Sequence, residues 1–413
     1  MTGKAEAGRA MIRKIPAAKL IPGMYVVDLH KGWFEHSLWR RHFPVHDEAL
    51  VQRLIADGVT EVSIDTSRGA DLPPEVPVSV VKRGRPRHPS RVEALVPEPT
   101  VSLAEERRRA SRLLREATDK VQELIVVART GRVVEAGTLE PVVGKMIESV
   151  ARNPDALAPL ARLKRIETYA THHAVATAAL VIAMAQQQSL GRSEIEQLAL
   201  GTLVKDVGQV ALDARLITKP GELSSQERSL VHSHVEEGLA VLDATTRLPE
   251  TAVAVVLEHH ERYDGSGYPY HMVGEDISSA GRMAAIVDTY DAMTSDRPYR
   301  RALSPAAALK QVYEGGGFLF DPELAASFIR TVGIYPVGTL VRLESGHLAV
   351  VREVRHDDLL HPVVRVIFHA ARRQYVTPVE VDLARRYGNH YGNIVAAEEF
   401  EDWGINPLRW QPA

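Results

Sequence analysis

The sequence predicts a mainly α protein: an all-helical bundle, preceded by a small α/β module and followed by a small β appendage. Three observations carry this. Between about residues 167 and 328 apolar side chains recur at helical spacing, and the residues with chemical potential concentrate in the same stretch. Upstream, residues 24–29 and 59–65 alternate as strands around a short helical pattern at 46–56. Downstream of Tyr335-Pro336-Val337-Gly338 the period switches to strands, at 340–343, 348–354, 363–368 and 375–381.

Composition bounds the rest. A chain of 413 residues is long enough for more than one core, and 45% apolar with 25% charged content is that of an ordinary soluble globular protein. A formal charge of −3 argues against bulk nucleic-acid binding. The absence of cysteine excludes disulfides and thiolate metal sites, so any metal must sit on His, Asp and Glu. The N-terminal residues lack the apolar run of a signal peptide, and no stretch reaches the roughly 18 apolar residues of a membrane span. A cytoplasmic protein is expected.

In chain order, residues 1–66 form the α/β module. Val62 and Ile64 lie on one face of its last strand, and Asp57-Gly58 stops its helix. Trp33, Trp39 and His42 read as aromatic packing rather than a ligand site. Residues 67–100 are proline-rich and read as a linker, with Lys82, Arg83, Arg85 and Arg87 as a solvated basic cluster. Residues 101–150 hold connector helices. Ser102 followed by Glu105 reads as a capping box, and Leu113, Leu114, Ala117, Val121, Leu124, Ile125 and Ala128 give one apolar face suited to a homodimer or a connector. Residues 151–335 form the bundle. Residues 336–413 form the appendage, with Glu344-Ser345-Gly346-His347 as a hairpin turn and Trp403 and Trp410 as tail packing.

Within the bundle, His172-His173, Asp206, His234, His259-His260 and Asp288 supply metal-ligand chemistry from separate segments. Any one of them alone reads as an ordinary polar residue. Several converging on helices make a rigid interior site suited to iron, manganese, nickel or zinc.

The segment 259–269, His-His-Glu-Arg-Tyr-Asp-Gly-Ser-Gly-Tyr-Pro, reproduces a complete signature. Together with Asp288-Thr289-Tyr290-Asp291-Ala292, Arg297-Pro298-Tyr299-Arg300 and the His234 segment, it resembles the HD-GYP family. That family is a branch of the HD phosphohydrolases that hydrolyses the bacterial messenger cyclic di-GMP. The resemblance spans residues 167–328, implies an HD-domain bundle, and extends to the flanks seen in one subgroup. It implies two adjoining metal sites. One takes His173, position 205, Asp206 and Asp288. The other takes Asp206 as bridge with His234, His259 and His260. His173 is aligned because Tyr169 then falls four residues before it, which argues against a third metal; His172 is the alternative if the register slips. Arg297 and Arg300 match positions that contact substrate phosphate or guanine. Asp264, Gly265, Gly267, Tyr268 and Pro269 read as a turn, and the resemblance adds contacts with GGDEF-type diguanylate cyclases.

The chain departs from the family at its first signature, where His-Asp-x-Gly-Lys is replaced by Lys205-Asp206-Val207-Gly208-Gln209. An ammonium has no lone pair, so Lys205 is a poor divalent ligand. Gln209 gives up a cation that stabilises charge on the scissile phosphate, a loss of about 10²–10³ in rate. Lys205 and Gln209 share one helix face, so Lys205 is placed to stand in for the missing lysine or metal charge. The expectation is one strong metal site rather than two. The expected function is that of a cyclic di-GMP signalling protein with impaired or absent hydrolysis to pGpG or GMP, and with nucleotide or partner binding retained. The alternatives are an active phosphodiesterase with an atypical metal site, and a phosphohydrolase of another cyclic nucleotide.

Overall fold

The computed structural model describes residues 12–28, 43–45, 48–56, 60–66, 70, 101–132, 135–161, 169–217, 219, 221–243, 248–296, 301–385 and 390–410. The chain divides into two compact units, Met1–Val92 and Glu93–Ala413.

In the first unit, strands β1 (Ile12–Pro16), β2 (Tyr25–Asp28), β3 (Phe43–Pro44) and β4 (Glu61–Asp65) form an antiparallel sheet in the order β1-β4-β2-β3, with helix α1 at Glu48–Ala56. The face of the last strand that carries Val62 and Ile64 is the inward one, buried with Met24, Val26 and Leu54. β1 runs along β4 for its full length, Ile12 opposite Asp65. Trp33, Trp39, His42 and the basic cluster at 82–87 lie outside the described residues.

The second unit opens with α2 (Leu103–Arg129), whose first turn is capped by Ser102 accepting from the Glu105 amide. Of its apolar stripe Leu113, Ala117, Val121, Leu124 and Ala128 are buried, while Leu114 and Ile125 at its margin are half-buried. It also buries two charges. The Glu106 carboxylate accepts from Ser149 at 2.7 Å and from Arg152 at 2.8 and 2.9 Å, and Arg107 donates to the Arg352 carbonyl. The bundle continues with α3 (Glu140–Arg152), α4 (Pro154–Ala161), α5 (Tyr169–Gln187), α6 (Arg192–Val204), α7 (Ala214–Ile217), α8 (Ser225–His232), α9 (His234–Asp243), α10 (Glu250–Glu258), α11 (Ser279–Met293), α12 (Pro305–Glu314) and α13 (Pro322–Val332).

Helix α5 is the hub. His173 through Ala185 are buried without a break, and α5 packs against α2, α3, α4, α6, α11 and α13. Its many alanines let those neighbours approach closely. No helix among the described residues is long and apolar enough to cross a membrane.

The appendage is an antiparallel sheet of β5 (Leu340–Leu343), β6 (His347–Glu353), β7 (Val363–His369), β8 (Gln374–Asp382) and β9 (Ile394–Glu398), in the order β8-β7-β6-β5-β9. One face packs Val341, Ala349, Val351 and Val364. The other face packs Leu340, Leu348 and Ile367 under Phe400, Trp403 and Trp410. The tail thus covers a sheet face, and the stretch before it adds an edge strand, β9, that the sequence pattern did not announce.

Candidate metal centre

Each chemical side chain sits near a helix terminus or on the wall of α5 or α11. α6 ends at Val204, so Lys205 and Asp206 leave its C-terminus and enter a 3₁₀ turn at Val207–Ala211. Glycine is required in that turn: a Cβ on Gly208 would lie 2.0 Å from the His234 carbonyl oxygen. The close approach brings the start of α9, and with it His234, up to Asp206. His259 and His260 follow the end of α10, while Asp288 and Asp291 lie one turn apart on α11.

Asp206 stands between two groups of donors. On its Oδ2 side are His173 and Asp288; on its Oδ1 side are His234, His259 and His260. In the first group the space between the donors is taken by Lys205. Its Nζ is fully buried, pairs with Asp206 Oδ2, and lies 2.6 Å from Asp288 Oδ1 and 3.2 Å from His173 Nε2. Burial alone lowers an ammonium's pKa, but the Asp206 and Asp288 carboxylates outweigh it and hold Lys205 above the ordinary lysine value. The Lys205 charge likewise keeps both carboxyls well below the usual range, against the opposing effect of burial. His173 is engaged on both ring nitrogens, Nε2 with Asp288 at 2.9 Å and Nδ1 with Asp291 at 2.5 Å, and Tyr169 stacks on its ring. His173, rather than His172, is therefore the member of this cluster.

The second group has the opposite character. His234 Nδ1 donates to the Val231 carbonyl at 2.7 Å and His259 Nδ1 to that of Val256 at 2.9 Å. This leaves each Nε2 as the lone-pair nitrogen. Both Nε2 atoms are buried without a hydrogen-bond partner among the described residues, and they face Asp206 Oδ1 at 3.7 and 3.9 Å. Burial, reinforced by the Lys205 charge, pushes His259 down to about 3, and burial with the neighbouring His259 takes His260 well below its ordinary value. Backbone-oriented imidazoles whose buried Nε2 atoms lack a hydrogen-bond partner among the described residues, beside a carboxylate, suit a divalent ion. The donors of the second group therefore fit such an ion, whereas Lys205 fills the corresponding place in the first. Gln209 Nε2 also donates to Asp206 Oδ1, at 2.8 Å.

The loop after His260 is held by Glu261, which is buried and accepts from the Tyr270 and Met272 amides at 2.7 and 3.1 Å. Asp264 closes the turn on the Ser266 amide, Gly265 has φ +80°, and a Cβ on Gly267 would lie 2.3 Å from the Arg262 nitrogen. Tyr268 precedes Pro269 through a cis bond and stacks on His260. Arg297 and Arg300 lie outside the described residues.

Two contributors escaped the sequence reading. Asp291 orients His173, and its signal was present: it lies three residues after Asp288, on the same helical face. His232 carries no such signal and enters only through its contact with Tyr268.

A helical bundle that gathers histidines and aspartates about one shared carboxylate defines a class, the metal-dependent phosphohydrolase scaffold. A family model described as "HD domain" matches residues 146–324, and one described as a domain of unknown function, DUF3391, matches residues 12–138. The chain is 38% identical over 402 residues to "Cyclic di-GMP phosphodiesterase PA4108" of Pseudomonas aeruginosa, covering 96% of this chain and 95% of that one. It is 35% identical to "Cyclic di-GMP phosphodiesterase response regulator RpfG" of Xanthomonas campestris over 36% of this chain and 39% of that one. It is 34% identical to "3'3'-cGAMP-specific phosphodiesterase 2" of Vibrio cholerae over 34% and 27%. The chain belongs to the HD-GYP family.

Proposed function

We propose that this protein is a cyclic di-GMP signalling protein in which one of two metal positions is filled by its own ammonium. On this reading hydrolysis to pGpG or GMP is impaired or absent, and nucleotide or partner recognition is kept. The observation that carries the proposal is the burial of Lys205 Nζ among His173, Asp206 and Asp288. A fixed cation neutralises charge there, but it offers no vacant coordination position.

Asp206, His234, His259 and His260 would hold an iron, manganese, nickel or zinc ion at the second centre. Once bound, the ion supplies Lewis-acid polarisation of a phosphoryl oxygen. The chain's own residues do the rest. Lys205 keeps Asp206 ionised, Asp291 and Asp288 fix His173, and the backbone carbonyls of Val231 and Val256 fix the two buried imidazoles. We assign Arg297 and Arg300 to the nucleotide's phosphate or guanine. We further assign residues 1–66 as an input module working in the cytoplasm, the 264–269 loop as a contact for GGDEF-type cyclases, and α2 as a homodimer contact.

The reading is tested by incubating the purified protein with cyclic di-GMP and Mn²⁺ or Fe²⁺, with nucleotide binding followed by calorimetry. Saturable binding with little or no product supports it; robust turnover contradicts it. A Lys205→His, Gln209→Lys double variant should gain hydrolysis. An active phosphodiesterase with an atypical site is the second reading, favoured by the intact donor set of the second centre.

A further inference from the structure

We propose that Tyr268 and His232 are positioning residues for His260, replacing with ring stacking the hydrogen bond that orients the other two imidazoles of the second centre. The inference rests on the reading that this centre binds a divalent ion.

His234 and His259 are each pinned by a backbone carbonyl at Nδ1. Such outer contacts set ring orientation, and their loss commonly costs 10–100-fold in metal affinity. Among the described residues His260 has no such carbonyl bond; its Nδ1 is 3.9 Å from Asp288 Oδ2, beyond hydrogen-bond range. Its ring meets two other donors of the centre, His259 tilted at 4.0 Å between centroids and His234 edge-on at 5.2 Å; the stacked contact comes from outside the donor set, from Tyr268 at 4.6 Å and 26° between planes. Tyr268 in turn lies flat on His232, at 3.6 Å and 3°.

Both supports are themselves fixed. The Tyr268 amide donates to the His260 carbonyl at 3.3 Å, and Glu261 accepts from the Tyr270 and Met272 amides just after the Tyr-Pro pair. His232 closes α8, which starts in a capping box: the Glu227 amide donates to Ser224 Oγ, and the Ser224 amide to Glu227 Oε2. Offset stacking of this kind favours one ring rotamer over the others. The tyrosine of the Gly-Tyr-Pro turn thus has work inside the centre, independent of any partner.

The test is Co²⁺ titration of the full-length, chelator-washed protein, followed by calorimetry and by the visible d–d absorption of the bound ion. Tyr268→Leu should weaken Co²⁺ binding about tenfold and alter the absorption. Tyr268→Phe, which keeps the ring, should stay near wild type. His232→Ala should lose a smaller factor, and His232→Phe should recover it. Thermal unfolding of each metal-free variant reports folding, and His232→Ala, on the half-buried end of α8, serves if Tyr268→Leu does not fold. Equal affinities for wild type, Tyr268→Leu and His232→Ala overturn this inference alone, as does a Phe variant as weak as Leu. No Co²⁺ uptake by the wild type overturns both this inference and the metal-binding reading beneath it.

Discussion

The two sides of Asp206 use one carboxylate in opposite ways. On the Oδ2 side every donor is satisfied internally, by Lys205, Asp291 and one another. On the Oδ1 side two buried imidazole nitrogens have no hydrogen-bond partner among the described residues. The first arrangement is complete as folded, and the second is complete only with a ligand. On the proposed reading, the scaffold of a two-metal centre is retained while one half is a structural ion-pair cluster. That half then acts electrostatically: its cation keeps Asp206 ionised and depresses His259.

The contrast can be broken at four places, from the largest effect to the smallest. His259→Ala removes a proposed ligand, so divalent-ion binding should fall below detection by calorimetry while the fold persists. Lys205→Ala leaves two buried carboxylates without their cation, and metal-free stability should drop by about 3–5 kcal/mol in urea denaturation. Mn²⁺ should restore much of that loss by taking the ammonium's place; a variant as stable as wild type without metal would refute the cluster.

Glu106→Gln lies remote from both centres and breaks the buried pair with Arg152, costing about 2 kcal/mol. Burial raises the Glu106 pKa, but the bonds from Arg152 and Ser149 outweigh it and the net shift is downward. Its contribution should be full above the unfolded carboxyl value of about 4.3 and fade as pH falls through the lower folded value. The stability gap between wild type and Glu106→Gln should therefore close in acid; a gap independent of pH would exclude the ionised pair. Gln209→Ala, the mildest change, removes a donor competing for Asp206 Oδ1 and should tighten metal binding a few-fold in the same titration.

Much of this was legible in the sequence. Helical period and strand alternation predicted the bundle and both sheets, because those faces are buried as amphipathic elements should be. The donors were legible as residue types, and the structure brings His173, Asp206, His234, His259, His260 and Asp288 together. What was not legible depends on contacts remote in sequence. Lys205 declared itself a poor ligand, but its place between Asp206 and Asp288 follows from α6 and α11 each packing on α5 and α10. β9 is short, carries two alanines and pairs with a strand some fifty residues earlier, so its pattern alone is weak. The stack of Tyr268 on His232 joins a loop to α8, and no local period encodes it.

The most direct measurement is the number of divalent ions bound per chain, by elemental analysis of protein purified without chelators, for the wild type and for Lys205→His. The account predicts one ion in the wild type, and a second when the ammonium is replaced by an imidazole. Two ions in the wild type, with Lys205 unchanged, would contradict it.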